Sequence, residues 1–154
     1  MYTLRPATAA DYDFLYQLHI ASMKVYIAAT WGWDEAWQLN YFNTHFDPAK
    51  RQIILVDETA AGVVSIEQRE DEVYLALIEL LPSHQGREIG TAVIQDIINA
   101  ANAKGMRVSL HVLKANEPAR RLYKRLGFTI TAEEEVRYLM THWPLEVQSA
   151  AHSK

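Results

Sequence analysis

With 154 residues, 49% of them hydrophobic and 22% charged, the chain has the size and balance of one globular domain that buries a core without metals or disulfides. It has no cysteine, which excludes disulfides, thiolate nucleophiles and thiolate metal sites, and its formal net charge of -4, with no tract dense in Lys and Arg, argues against a nucleic-acid backbone as partner. No apolar run approaches the roughly 20 residues that span a bilayer. The start MYTLRPATAAD also lacks the basic and apolar regions of a secretory signal, so the expectation is a cytoplasmic protein with no membrane partner.

In chain order, residues 2–5 read as a short strand. Thr8, followed three residues later by Asp11, is an N-cap pattern that announces a helix. The apolar positions Phe14, Leu15, Leu18 and Ile20 of that helix fit a 3.6 period, and Gly32 interrupts it. Asp34 can cap a second helix reaching about Phe46. Strands follow at 52–56, 61–68 and 72–81, separated by the polar breaks Asp57-Glu58-Thr59 and Arg69-Glu70-Asp71, which predicts an antiparallel meander. Pro82 and Gly86 end the third strand. Ile89, Val93, Ile94, Ile97, Ile98 and Ala101 then recur at helical spacing as far as Gly105. Residues 106–113 read as a buried strand, 116–126 as a helix closed by Gly127, and 128–130 with 136–141 as a final strand pair. The order β-α-α-β-β-β-α-β-α-β-β predicts an α/β fold: one mixed sheet with helices on its faces, in a single domain over 1–145. The tail 146–154 has no periodic apolar pattern and is expected to fray.

Two segments carry chemistry. Gln85-Gly86-Arg87-Glu88-Ile89-Gly90-Thr91 lies between a strand and a helix N-terminus, where unpaired N–H groups and the helix dipole favour an anion such as a pyrophosphate. A short glycine-containing turn of this kind also serves purely structural ends. It is not a P-loop, because no Gly-Lys-Ser/Thr follows, nor a full Gly-x-Gly-x-x-Gly turn. In the second segment, 116–128, Asn116 can cap a helix, Pro118 is tolerated in its first turn and Gly127 closes it. Asn116 and Tyr123 share one face of that helix. A Tyr beside Ala119, Leu122 and Leu126 also fits a core residue with a bonded hydroxyl.

In this order the two segments resemble the GNAT superfamily of N-acetyltransferases. Gln85, Ile89 and Gly90 match its phosphate-binding signature Gln/Arg-x-x-Gly-x-Gly/Ala, with Glu88 standing where the first glycine is usual. Asn116, Ala119, Leu122, Tyr123, Gly127 and Phe128 match the downstream pattern Asn-x-x-Ala-x-x-Leu-Tyr-x-x-x-Gly-Phe in full. The likeness runs from about Val73 to Phe128 and is only architectural before that. It implies the GNAT acyl-CoA N-acyltransferase fold and acetyl-CoA as co-substrate. The pyrophosphate would take the N–H groups of Gly86, Arg87, Glu88, Ile89, Gly90 and Thr91, with Gln85, Asn116 and Tyr123 also at the cofactor. The backbone at Leu80 and Leu81 would meet the thioester arm, and an N–H near Leu80 would bond the thioester carbonyl.

The implied reaction is transfer of acetyl to a primary amine of a small molecule, peptide or protein, by direct attack in a ternary complex. A non-catalytic acyl-CoA-binding or sensing module on the same fold is the competing reading. A neutral amine must attack, so an ammonium first loses a proton to a base, and the leaving thiolate benefits from a proton donor. Tyr123 matches the family's donor position. Glu79, a carboxylate inside an apolar run, and His111, on the polar face of the next strand with Arg107 and Ser109, are both candidates for the base, with water as a third route. A salt bridge for Glu79 and a hydrogen-bonded structural role for His111 are the competing explanations. Tyr26, Trp31, Trp33 and Asp34, with Trp37, cluster where the first two helices meet, a region that often walls the acceptor pocket in this superfamily. No metal is expected, because the histidines show no ligand spacing and the reaction needs none. Dimers are common in the superfamily, which leaves a homodimer open.

Overall fold

The computed structural model describes residues 1–86 and 88–145; Arg87 and the tail from Glu146 lie outside the described residues. The elements in chain order are β1 (Tyr2–Pro6), α1 (Tyr12–Trp31), α2 (Glu35–His45), β2 (Gln52–Val56), β3 (Thr59–Gln68), β4 (Glu72–Leu80), α3 (Ile89–Ala103), β5 (Arg107–Leu113), α4 (Glu117–Arg125), β6 (Thr129–Glu133) and β7 (Arg137–His142), with short 3-10 turns between some of them. This is the expected order. The last strand pair is longer than the sequence predicts, because β6 stays paired to β7 around a register shift between Ile130 and Ala132. The hydrogen-bond order of the strands is β1-β2-β3-β4-β5-β7-β6, a seven-stranded mixed sheet in which β3 and β4 run through both of the chain's compact units. Among the described residues, no helix is long and apolar enough to cross a membrane.

The first unit comprises Met1–Ser65 and Leu77–Ile89. β1 pairs antiparallel with β2, and β2 with β3 across a two-residue turn whose Asp57 and Glu58 take φ of 51° and 65°, as a primed hairpin turn requires. Before α1, Thr8 and Asp11 form the expected capping box around a 3-10 turn (Ala9–Asp11), and Arg5 adds two bonds to the Asp11 carboxylate, at 2.8 and 2.9 Å. The Arg5 guanidinium, foremost among these partners, holds the Asp11 carboxyl at about 2. α1 stops at Gly32 (φ 80°), whose N–H reaches the Ala28 carbonyl, and Asp34 restarts the chain as the cap of α2 by accepting from the Trp37 N–H at 2.9 Å. The helices bury Leu15, Leu18 and Phe42 against Ile53 and Val63 of the sheet, with Leu77 and Leu81 packed alongside.

The second unit comprises Ile66–Ala76 and the chain from Gly90 on. A parallel ladder joins β4 to β5 from Glu72↔Arg107 to Leu75↔Leu110, as a β4-α3-β5 crossover allows, and β5 pairs antiparallel with β7 on its other side. Val93, Ile94 and Ile98 of α3, Val108 and Leu110 of β5, Phe128 and Met140 are among its buried apolar side chains.

The β3–β4 hairpin carries an irregularity that shapes the site. Near its turn, the Arg69 N–H bonds the Glu72 carbonyl; at its far end, the Leu81 N–H bonds the Ala61 carbonyl. Between these two bonds β4 uses one residue more than β3, so it bulges. The bulge leans on Gly62, where an added Cβ would lie 2.3 Å from the Glu79 carbonyl oxygen and 3.2 Å from the Leu80 Cα. Those are backbone atoms that cannot step aside. Gly62→Ala is expected to cost about 2–3 kcal/mol, as overpacking does, and a urea unfolding midpoint unchanged from wild type would contradict this close approach.

Candidate active site

Glu79 comes from the bulged end of β4, in a strand whose other residues there are apolar. Its side chain is only 5% exposed, and a carboxylate so buried needs a partner. His19 of α1 supplies it, with Nδ1 3.0 Å from Oε2. The pair opens on a cleft of about 960 Å³ within the first unit, walled largely by aromatic side chains of α1, α2 and the connector between them. Trp31, Trp33 and Asp34, expected at the acceptor site, line this cleft together with Trp37; Tyr26 does not. The Asp34 carboxylate is engaged as the α2 cap, so its contribution to the cleft is mainly to orient α2.

The sequence reading missed further polar side chains on the same cleft, among them His19, Gln38 and Arg51. A signal for His19 existed, because Leu15, His19, Met23 and Ile27 follow one another four residues apart and so form one inward stripe of α1 with a histidine in it. Gln38 and Arg51 carried no comparable signal.

After β4 the chain turns toward α3. The Gln85 side-chain amide donates to the Leu80 carbonyl at 2.9 Å, tying the turn to the end of the strand, and the Leu81 N–H is already given to Ala61. Gly86 and Glu88 have φ of 75° and 62°. Glu88, in the place of the signature glycine, thus adopts the left-handed backbone that a glycine would adopt freely. Followed by helical Ile89, it forms the alternating left- and right-handed pair whose successive N–H groups make an anion-binding concavity at the start of a 15-residue helix. The Glu88 side chain is exposed and that of Ile89 is buried, so Ile89 can offer only backbone to a ligand, as can Gly90 in the first turn. Thr91 adds a half-buried hydroxyl there. This donor set fits a pyrophosphate.

In the second unit, Tyr123 of α4 packs its ring 5.8 Å from that of Phe128 and is 8% exposed. Its hydroxyl has no hydrogen-bond partner among the described residues, yet is not sealed off from solvent. Burial pushes its pKa up to about 12. Asn116 is the cap of α4, accepting from the Ala119 N–H at 3.3 Å. His111 has both ring nitrogens engaged: Nδ1 lies 2.6 Å from the Tyr74 hydroxyl and Nε2 3.0 Å from Glu134, which Arg137 also holds. On the same face Arg107 and Ser109 both bond Glu72, so the polar face of β5 is a row of cross-strand pairs. Among the described residues, no group of three His, Cys, Asp or Glu could hold a metal ion.

Solved structures with this fold include the PaiA N-acetyltransferase from Thermoplasma acidophilum in complex with coenzyme A, with a TM-score of 0.76 at 16% identity over 93% of this chain and 99% of that one. The ribosomal-protein-S18-alanine N-acetyltransferase from Escherichia coli matches with a TM-score of 0.66 at 18% identity, over 93% and 94% of the two chains. Naa50 from Arabidopsis thaliana, in complex with the bisubstrate analogue CoA-Ac-MVNAL, matches with a TM-score of 0.61 at 18% identity, over 91% and 97%. At such identities the likeness shows the fold. The family model of the acetyltransferase (GNAT) family matches residues 12–128, most of the chain and both chemical segments, and so the protein belongs to that family of acyltransferase enzymes.

Proposed function

We propose that this enzyme binds acetyl-CoA on the turn at 85–91 and passes its acetyl group to a primary amine held in the aromatic cleft, by direct attack and without an acyl-enzyme. Residues 1–145 form one such domain in this reading. The observation that carries it is Glu79, a buried carboxylate facing a cleft in a family whose acceptors arrive as ammonium ions. Acetyl-CoA supplies the thioester carbonyl that is attacked. Glu79 takes the proton of the acceptor, directly or through one water, while His19 holds its carboxylate in place. A backbone N–H at the β4 bulge near Leu80 bonds the carbonyl oxygen as charge develops there. Tyr123 donates to the departing sulfur. His111, with both nitrogens engaged, stays in its cross-strand network. The Naa50 complex supports the direct route, since a bisubstrate analogue joins the two reactants that such a route brings together.

The first test is binding. Ligand linkage at 100 times Kd stabilises by about 2.7 kcal/mol, which for a domain of this size means a melting shift of about 5–10 °C. Millimolar CoA and acetyl-CoA should produce it in a thermal melt. No shift would remove the basis of the proposal. A screen of amines with acetyl-CoA, read as free thiol, then tests transfer.

Glu88 gives a second test. Its left-handed backbone costs a non-glycine residue about 1 kcal/mol, which Glu88→Gly relieves, while the freer unfolded chain takes back about 0.4–1 kcal/mol. Stability should therefore barely move. Removing an exposed carboxylate beside a bound pyrophosphate is worth about 0.6 kcal/mol, so CoA should bind about threefold tighter by calorimetry. Weaker binding with stability unchanged would mean that the carboxylate helps the site.

A further inference from the structure

Among the described residues, Arg51 and Gln38 on the cleft have no side-chain hydrogen bond or ion pair, and the Trp33 Nε1–H beside them is buried without an acceptor. Arg51, just before β2, stacks its guanidinium 5.8 Å from the Phe42 ring centroid, and among the described residues it has no ion pair and no side-chain hydrogen bond. Its unbonded nitrogens still reach solvent. Glu79 and Asp47 act on it electrostatically, but neither is close enough to pair. Gln38 of α2 is 7% exposed, and its amide has no partner among the described residues although it too is not sealed off. A buried amide and a part-buried guanidinium that face the same cleft and bond no protein group there have their hydrogen-bonding capacity free for a ligand. Both offer N–H donors. They lack an anion.

We propose that the acceptor is an α-amino acid with a bulky apolar side chain: its carboxylate is held by Arg51 and Gln38, its amine is presented to Glu79, and its side chain lies among Trp33, Phe42 and the neighbouring aromatic walls. This rests on the reading of the cleft as the acceptor site. The guanidinium fork matches a planar carboxylate through two parallel bonds. A simple amine brings nothing for Arg51, and the N-terminus of a peptide carries a neutral amide where this site asks for charge.

The test compares three acceptors that differ only in this group: L-phenylalanine, L-phenylalanine amide and phenethylamine, with acetyl-CoA and free thiol as readout. Wild type should favour phenylalanine at least tenfold in kcat/KM over both others. Arg51→Gln should abolish that preference through KM, leaving phenethylamine within about twofold, and Arg51→Lys, which keeps charge and loses the fork, should fall between. Equal use of the three acceptors by wild type, or an equal loss for all three in Arg51→Gln, overturns the assignment. So does a preference for the aminophosphonate analogue of phenylalanine, which would make the recognised group phosphoryl. If neither CoA binding nor thiol release is seen with any amine, the acetyl-transfer reading has failed. The amino-acid site is then decided by quenching of the cleft tryptophans on titration with phenylalanine: quenching in wild type that Arg51→Gln weakens at least tenfold supports the site, and no quenching overturns it.

Discussion

Tyr123→Phe is expected to lower kcat about 10²-fold while acetyl-CoA affinity stays within a few fold. The ring is kept, so its packing on Phe128 survives, and the hydroxyl that is lost bonds no protein group among the described residues. Little stability at neutral pH should therefore be lost. With its pKa at about 12 against a thiol near 8.5, the phenol does not hand its proton over readily; it stabilises the developing thiolate chiefly by donating a strong hydrogen bond. The same pKa makes a separate test. The folded-state value lies above the unfolded value of 10.0, so the associated stability is complete below pH 10 and is lost as pH rises from 10 to 12. That alkaline loss, about 2–3 kcal/mol, should be absent from Tyr123→Phe in pH-dependent unfolding. A variant with near wild-type kcat, under conditions where chemistry limits turnover, would reject the role in catalysis.

Glu79→Gln should reduce kcat/KM by a similar factor, on the order of 10², for a different reason. The amide keeps the size of the side chain and can still bond His19, but it cannot accept a proton from the acceptor. Only acceptor already neutral in solution can then react, so the rate of the variant should climb with pH toward the pKa of the amine. His111→Ala is the control: with Tyr74 and Glu134 holding both ring nitrogens, its loss should leave the rate within a few fold. A large loss in His111→Ala with Glu79→Gln near wild type would exchange the two roles, and little effect from either would give the proton to water.

The sequence by itself determined the elements and their order, because their signals are local. Caps such as Thr8 with Asp11, Asp34 at Trp37 and Asn116 at Ala119, stops at Gly32 and Gly127, and the two hydrophobic periods all act within a few residues. It also contained the two motifs at 85–90 and 116–128, which lead to the family. Only the tertiary structure decided how the polar groups are shared out. Glu79 meets His19 across 60 positions of chain, and His111 is claimed by Tyr74 and Glu134 at separations of 37 and 23. The extra residue of β4 depends on its register with β3, and the unmet donors of Gln38 and Arg51 depend on how α2 and β2 pack. A polar side chain's role follows from whether it finds a partner once its surroundings are buried, and packing between distant segments supplies or withholds that partner.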